Sequence, residues 1–288
     1  MEQISNTWQS LKIPYSPELQ ETLLQQYHAA QFLAIAGHHL IPQRKDDSNT
    51  SMVYLPEKES LVGEEILDGK RLVLHLPDLS LGILQNNMML PLSIELRGLS
   101  RSDAFNKMTY LLNNVGIDTS QLSLDLHYDI PDHEIIHKAI FKNNEARHIR
   151  EQIGYRHNAR YILEELIAAY PKAEKVRIWP HHFDTGSIIP VSMNGQGEVT
   201  SSIGIGWAIP DGMVHEPYFY LSAWSKDPLE FPENMQALPS GSWMNPTWNG
   251  GVLRLSGILK YAAPEDQYNT VWSFYKSGIG ILEKLLQP

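Results

Sequence analysis

The run Trp179-Pro180-His181-His182-Phe183-Asp184 sets two imidazoles and a carboxylate beside a Trp-Pro step, and Asp211, His215 and Glu216 form a second polar cluster downstream. Groups of these types can move protons, hold a metal or orient a polar ligand. The first run reads as the edge of a strand, where alternate residues share a face. His182 and Asp184 would then point one way, and His181 and Phe183 the other. On this reading His182 is the proton-transfer group and Asp184 orients it, with His181, His215 or Glu216 assisting. The same pair could supply two metal ligands, with a third from His215, Glu216 or Asp211. The chain has no His-Glu-x-x-His and no cysteine, so neither metal nor cofactor is assigned. The plainer reading makes one histidine a hydrogen-bonded core residue and Asp184 a cap on the turn at Thr185-Gly186.

The candidate ligand-binding residues are Trp179, Asp211, Tyr218, Trp243 and Trp248. Aromatic walls with a few convergent polar groups are how small-ligand pockets are lined, although core packing gives the same pattern. Asp211 also reads as a turn-maker, because Pro-Asp-Gly is a turn signal for local reasons. Two further polar runs have structural explanations. His38-His39 follow Gly37 at a helix end, where imidazoles favour the dipole. The stretch from His127 to His133 looks like a strand end and a helix start with Asp132 as N-cap. Gly204-x-Gly206 lacks the strand–turn–helix context of a dinucleotide loop, and no phosphate loop or Gly-x-Ser-x-Gly elbow occurs.

The elements that must position these residues repeat. Ser16-Pro17-Glu18 opens a helix over about 17–36, with Ser16 as N-cap, Pro17 at the first position and Gly37 as the stop. A second helix runs over about 145–170. His28-Ala29-Ala30-Gln31-Phe32-Leu33 resembles His157-Asn158-Ala159-Arg160-Tyr161-Ile162. Val53-Tyr54-Leu55-Pro56, Leu76-Pro77-Asp78 and Leu96-Arg97-Gly98-Leu99 then match Arg177-Ile178-Trp179-Pro180, Ile209-Pro210-Asp211 and Leu255-Ser256-Gly257-Ile258, in the same order. Each half closes with a helix, about 102–114 and about 264–286. Between the helices, 71–76, 92–96, 122–128, 202–207 and 252–255 are strand-like, and Asn194-Gly195 marks a hairpin.

The expected fold is therefore α+β: an internal duplication of a helix–antiparallel strands–helix unit, two similar halves packed together, 1–140 and 141–288. The second half carries the candidate site. It also carries about 26 extra residues between Asp211 and Gly257, placed at about 225–250, where a lid or pocket wall with Trp243 and Trp248 is expected. The alternative is a loop that packs on its own aromatics.

The Trp-Pro-His-His-Phe-Asp run, with Gly206-Trp207-x-x-Pro210-Asp211 and Glu216-Pro217-Tyr218-Phe219-Tyr220, resembles the signature of a bacterial family of unknown function. The first half is similar in outline, with Trp8 near the start and Glu95-Leu96-Arg97-Gly98-Leu99 in the middle. The resemblance is sharp from about 179 to 220. It implies a whole-chain unit with its distinctive residues in the second half, and it carries over no activity.

Composition narrows the partners. The chain has 288 residues and a formal net charge of −10, which argues against a nucleic-acid backbone or an anionic membrane as the partner. Without cysteine, disulfides and thiolate chemistry are excluded. No basic segment followed by an apolar core opens the chain, and no apolar run is long enough to span a bilayer, so a cytoplasmic protein is expected. The leading function is an enzyme acting on a small polar substrate by histidine–carboxylate acid–base chemistry. Its rivals are a non-catalytic small-ligand binder and a structural or partner-binding protein. The sequence does not give the oligomeric state.

Overall fold

The computed structural model describes residues 7–142, 144–232 and 234–287. They form an α+β protein with antiparallel strands, divided into two compact units. The division falls inside one helix, between Ile153 and Gly154; residues 177–183 belong to the first unit, and the described residues up to Tyr15 belong to the second.

In the first unit, α1 (Pro17–Leu40) precedes a meander of β1 (Met52–Leu55), β2 (Ser60–Gly63), β3 (Lys70–His75), β4 (Ser80–Gln85) and β5 (Met88–Glu95). α2 (Arg101–Asn114) follows, then the start of α3 (Ala146–Ile167), and β6 (Arg177–Trp179) pairs with β1. The strand order is β6-β1-β2-β3-β4-β5, each neighbour antiparallel. α1 begins as the sequence directs: the Ser16 hydroxyl accepts from the Leu19 amide at 3.3 Å and Pro17 fills the first turn. Gly37 does not stop it. The helix runs on to Leu40, and Gly37 lets the Asn49 backbone approach, since a Cβ there would lie 2.2 Å from the Asn49 carbonyl oxygen.

Every residue of α1 from Gln25 to Gly37 is buried, including Gln25, Gln26, His28 and Gln31. A helix buried all round must find partners for its polar side chains inside the protein. Two come from the irregular segment after α2, the Tyr128 hydroxyl to Gln31 and the Lys142 amide to Gln25, while Gln26 Nε2 and both His28 nitrogens have none among the described residues. The strand expected at 122–128 is absent, and no helix follows Asp132; turns and coil run there instead. The physical reason lies in the carbonyls. Leu124 O accepts from Arg101 and Asp125 O from His39, so side chains take the acceptors a neighbouring strand would use.

In the second unit, the rest of α3 is joined by β7 (Asp184–Met193), β8 (Val199–Ala208), β9 (Tyr218–Ser225), β10 (Ser242–Trp243), β11 (Gly250–Arg254), the short α4 (Leu255–Ile258) and α5 (Pro264–Leu286). The order is β7-β8-β9-β11-β10, again antiparallel. α5 packs on β8, β9 and β11, and its apolar face, including Val271, Phe274, Tyr275, Ile279 and Leu282, is buried. Asn194 turns the β7–β8 hairpin by accepting the amides of Gln196 and Glu198 at 3.0 and 2.9 Å.

Candidate functional site

Residues 181–183 form a turn and not an extended strand; β7 begins only at Asp184. Phe183 adopts a left-handed φ of 52°. That conformation costs energy for a residue with a Cβ, and burial offsets it: the Phe183 ring stacks on Tyr27 with centroids 5.0 Å apart. The alternation expected to set His182 and Asp184 on a common face therefore does not apply. The turn leaves His182 exposed and His181 half-buried, their rings 4.5 Å apart, with Trp179 at 6.3 Å from His181.

In the first unit these imidazoles join others that lie far away in sequence. The His181 ring lies 5.8 Å from Tyr128, Tyr128 5.0 Å from His127, His127 4.8 Å from His38, and His38 4.7 Å from His39. Five of the chain's twelve histidines thus run ring to ring through one tyrosine. Three pieces of chain supply the rings of this belt: the C-terminal turn of α1, the segment after α2 and the turn after β6. Gln31 ties them together. Its amide donates to Pro180 O at 3.0 Å and its carbonyl accepts the Tyr128 hydroxyl at 2.9 Å, while Tyr27 donates to His181 O at 2.7 Å.

The belt has two oriented imidazoles. His127 Nε2 donates to Asp47 Oδ2 at 3.0 Å, and His39 Nε2 donates to the Asp125 carbonyl at 3.0 Å. A donor at Nε2 leaves Nδ1 as the basic atom of a neutral ring. Asp47 itself sits at a left-handed φ of 59°, accepts the Thr50 hydroxyl at 3.2 Å, and has a buried Oδ1 with no hydrogen-bond partner among the described residues. Burial, followed by the neighbouring His39 and His127, holds the His38 imidazole below its usual range, and Asp47 works against them. Burial pushes the Tyr128 phenol up, so it stays a hydroxyl donor. Among the described residues no group of three or more histidine or acidic side chains is arranged to hold a metal ion.

The other sequence candidates lie in the second unit, in separate roles. Asp211 makes its own turn, accepting the Met213 and Val214 amides at 2.7 and 2.9 Å, and takes the buried Tyr218 hydroxyl at 2.6 Å. Glu216 accepts the amide and hydroxyl of Ser256 at 2.7 and 2.8 Å, capping the start of α4. His215 is exposed. Trp248 packs edge-on against Tyr220 at 6.3 Å, beside a cluster of Ala208, Val214, Tyr218 and Val252. Trp243 donates its indole N–H to Gln236 O at 2.8 Å and meets Phe231 at 6.2 Å. Both tryptophans thus pack within or beside their own loop.

Asp184 belongs to a buried ionic network. The Tyr220 hydroxyl donates to its Oδ2 at 2.6 Å, and Gly206 makes room for that phenol, since a Cβ there would come within 2.5 Å of it. Arg156, 2% exposed, donates to Thr185 Oγ1 at 2.8 Å and lies 4.8 Å over the Trp207 ring. Burial brings its guanidinium down to about 9, against the opposing pull of Asp184, so it is charged at neutral pH.

Sequence reading did not bring His38, His39, Asp47, His127 and Tyr128 together as a candidate site. Their signal was the His38-His39 pair at the end of α1 and the polar run from His127 to His133, which local rules had explained away. Compared with protein-family models, with curated proteins and with solved structures, the chain matches none of them.

Proposed function

We propose that the protein is an enzyme acting on a small polar substrate by acid–base chemistry, with His127 as the proton-transfer group and Asp47 as its orienting carboxylate. The observation that carries this reading is the His127–Asp47 hydrogen bond of 3.0 Å within a belt of five imidazoles. Asp47 fixes the tautomer and stabilises the imidazolium that forms when Nδ1 takes a proton from the substrate. His38, stacked on His127 and with its imidazole held below its usual range by burial, competes less for that proton. His181 and the exposed His182 line the other end of the belt, where a polar substrate finds donors and acceptors. The net charge of −10 favours a small molecule over a nucleic acid.

The experiment incubates the full chain with a small-molecule cell extract and follows depletion by mass spectrometry. Consumption of one species by the wild type, lost in His127→Asn and in Asp47→Ala, supports the assignment. A ligand retained but never converted would replace it with the non-catalytic binder.

The duplication belongs to the same reading. The matched segments fall on corresponding elements: β1 with β6, the turn after β3 with the turn after β8, and the residues after β5 with those after β11. Pro77-Asp78 and Pro210-Asp211 each place an aspartate that accepts turn groups, Ser80 in one case and Met213 with Val214 in the other. This supports two diverged copies, of which the second gained the segment of β10. The resemblance to a bacterial family and a place in the cytoplasm are part of the proposal.

A further inference from the structure

An open concavity of about 270 Å³ lies in the second unit, lined by Thr7, Trp8, Tyr161, Pro264, Glu265 and Tyr268. Tyr268 stands between the other two rings, 6.1 Å from Trp8 at 71° and 6.0 Å from Tyr161 at 50°. The polar edges of two of these rings are already committed. The Tyr268 hydroxyl donates to Glu165 Oε2 at 3.0 Å, and the Trp8 indole N–H donates to Gln267 Oε1 at 3.3 Å. Tyr268 stacks one face on Trp272 at 6.0 Å, Tyr161 stacks one on His157 at 6.5 Å, and Trp8 is buried, so a guest meets the remaining faces of the two half-buried tyrosines, which carry the negative part of the aromatic quadrupole.

Charge points the same way. Glu265 lines the concavity and Glu165 holds the Tyr268 hydroxyl, while among the described residues no lysine or arginine lines it. The nearby Arg160 is paired with Glu164 at 3.0 Å. The N-terminal end of α5 would by itself attract an anion, but Glu265 and Asp266 in its first turn answer that dipole.

We propose that this aromatic concavity binds an organic cation carrying a methylated ammonium group. Ring faces attract positive charge but accept hydrogen bonds poorly, so a bare ammonium over them would lose water contacts that the single lining carboxylate, Glu265, replaces only in part. Methylation removes those N–H groups and spreads the charge over methyls that pack against aromatic carbon. The concavity is below the range of about 300–1,000 Å³ that holds a drug-sized molecule, so it takes a head group, with the remainder of the ligand in solvent. The site is independent of the imidazole belt.

The test titrates choline into the full chain by calorimetry, with the Trp8 indole N–H followed by NMR. The neutral isostere 3,3-dimethylbutan-1-ol, identical in shape, serves as the control for simple apolar contact. Choline should saturate and move the Trp8 resonance, and the neutral isostere should bind about tenfold more weakly. Tyr268→Leu should weaken choline about tenfold, and the exposed Glu265→Gln, which leaves packing intact, about threefold. Absence of saturation at tens of millimolar choline, equal binding of the neutral isostere, or affinity unchanged in both variants would each overturn the proposal.

Discussion

His127 Nε2 donates to Asp47 Oδ2 across 3.0 Å although 80 residues separate them in sequence. The carboxylate therefore sets which imidazole nitrogen carries the proton. In a nitrogen-15 spectrum above neutral pH, His127 should show the Nε2–H tautomer. Asp47→Ala should give a mixture of tautomers and, under the proposed acid–base role of His127, lower turnover about 100-fold, the scale of general acid–base assistance. An unchanged tautomer would remove Asp47 from its orienting role.

His28 gives the fold an acid-sensitive element. It is 3% exposed in α1, and neither ring nitrogen has a hydrogen-bond partner among the described residues. Burial, then the positive charge of His133 and Arg101, lowers its imidazole to about 4, with Glu21 and Asp132 opposing. An unfolded histidine takes its proton near 6.5, so on acidification the unfolded chain binds the proton first. Stability should be full above about pH 6.5 and fall by up to about 3 kcal/mol as pH drops towards 4. Denaturant melts of His28→Leu across this window should show a flatter dependence. Parallel curves for the two proteins would refute the assignment.

Gln31 carries the belt's registration. Replacing it with Leu strips the buried partners from the Tyr128 hydroxyl and Pro180 O. Unfolding free energy should drop by about 2 kcal/mol, since each abandoned buried group costs about 1–3 kcal/mol before relaxation. Amide exchange near Tyr128 and His181 should speed up more than exchange in α5. A uniform change across both units would contradict a local tie.

Arg156→Met leaves Asp184 largely buried, with its nearby guanidinium gone. The expected loss is about 3 kcal/mol, because a buried carboxylate loses the opposing charge that acts on it. Pairing the change with Asp184→Asn should recover part of that loss, measurable as coupling in a double-mutant cycle. Strictly additive losses would show that the two groups act separately.

Local rules were enough wherever a residue's role depends on its chain neighbours. Ser16 caps α1, Pro264 opens α5, Asn194 turns a hairpin and Asp211 folds its own turn, because each interaction closes within a few residues. The antiparallel α+β class followed from short connections between strand-like runs. Tertiary structure decided the rest. Burial of Phe183 against Tyr27 bends 181–183 into a turn, so the strand alternation assumed for His182 and Asp184 never forms. Gly37 serves the approach of the Asn49 backbone and not the end of a helix. Residues 122–128 alternate like a strand, yet their carbonyls are taken by Arg101 and His39. The imidazole belt joins residues drawn from positions 38 to 182, and its cohesion comes from ring contacts and from Gln31. Sequence spacing encodes neighbours along the chain; a site assembled across long loops is specified by which buried polar groups must find partners once the chain is folded.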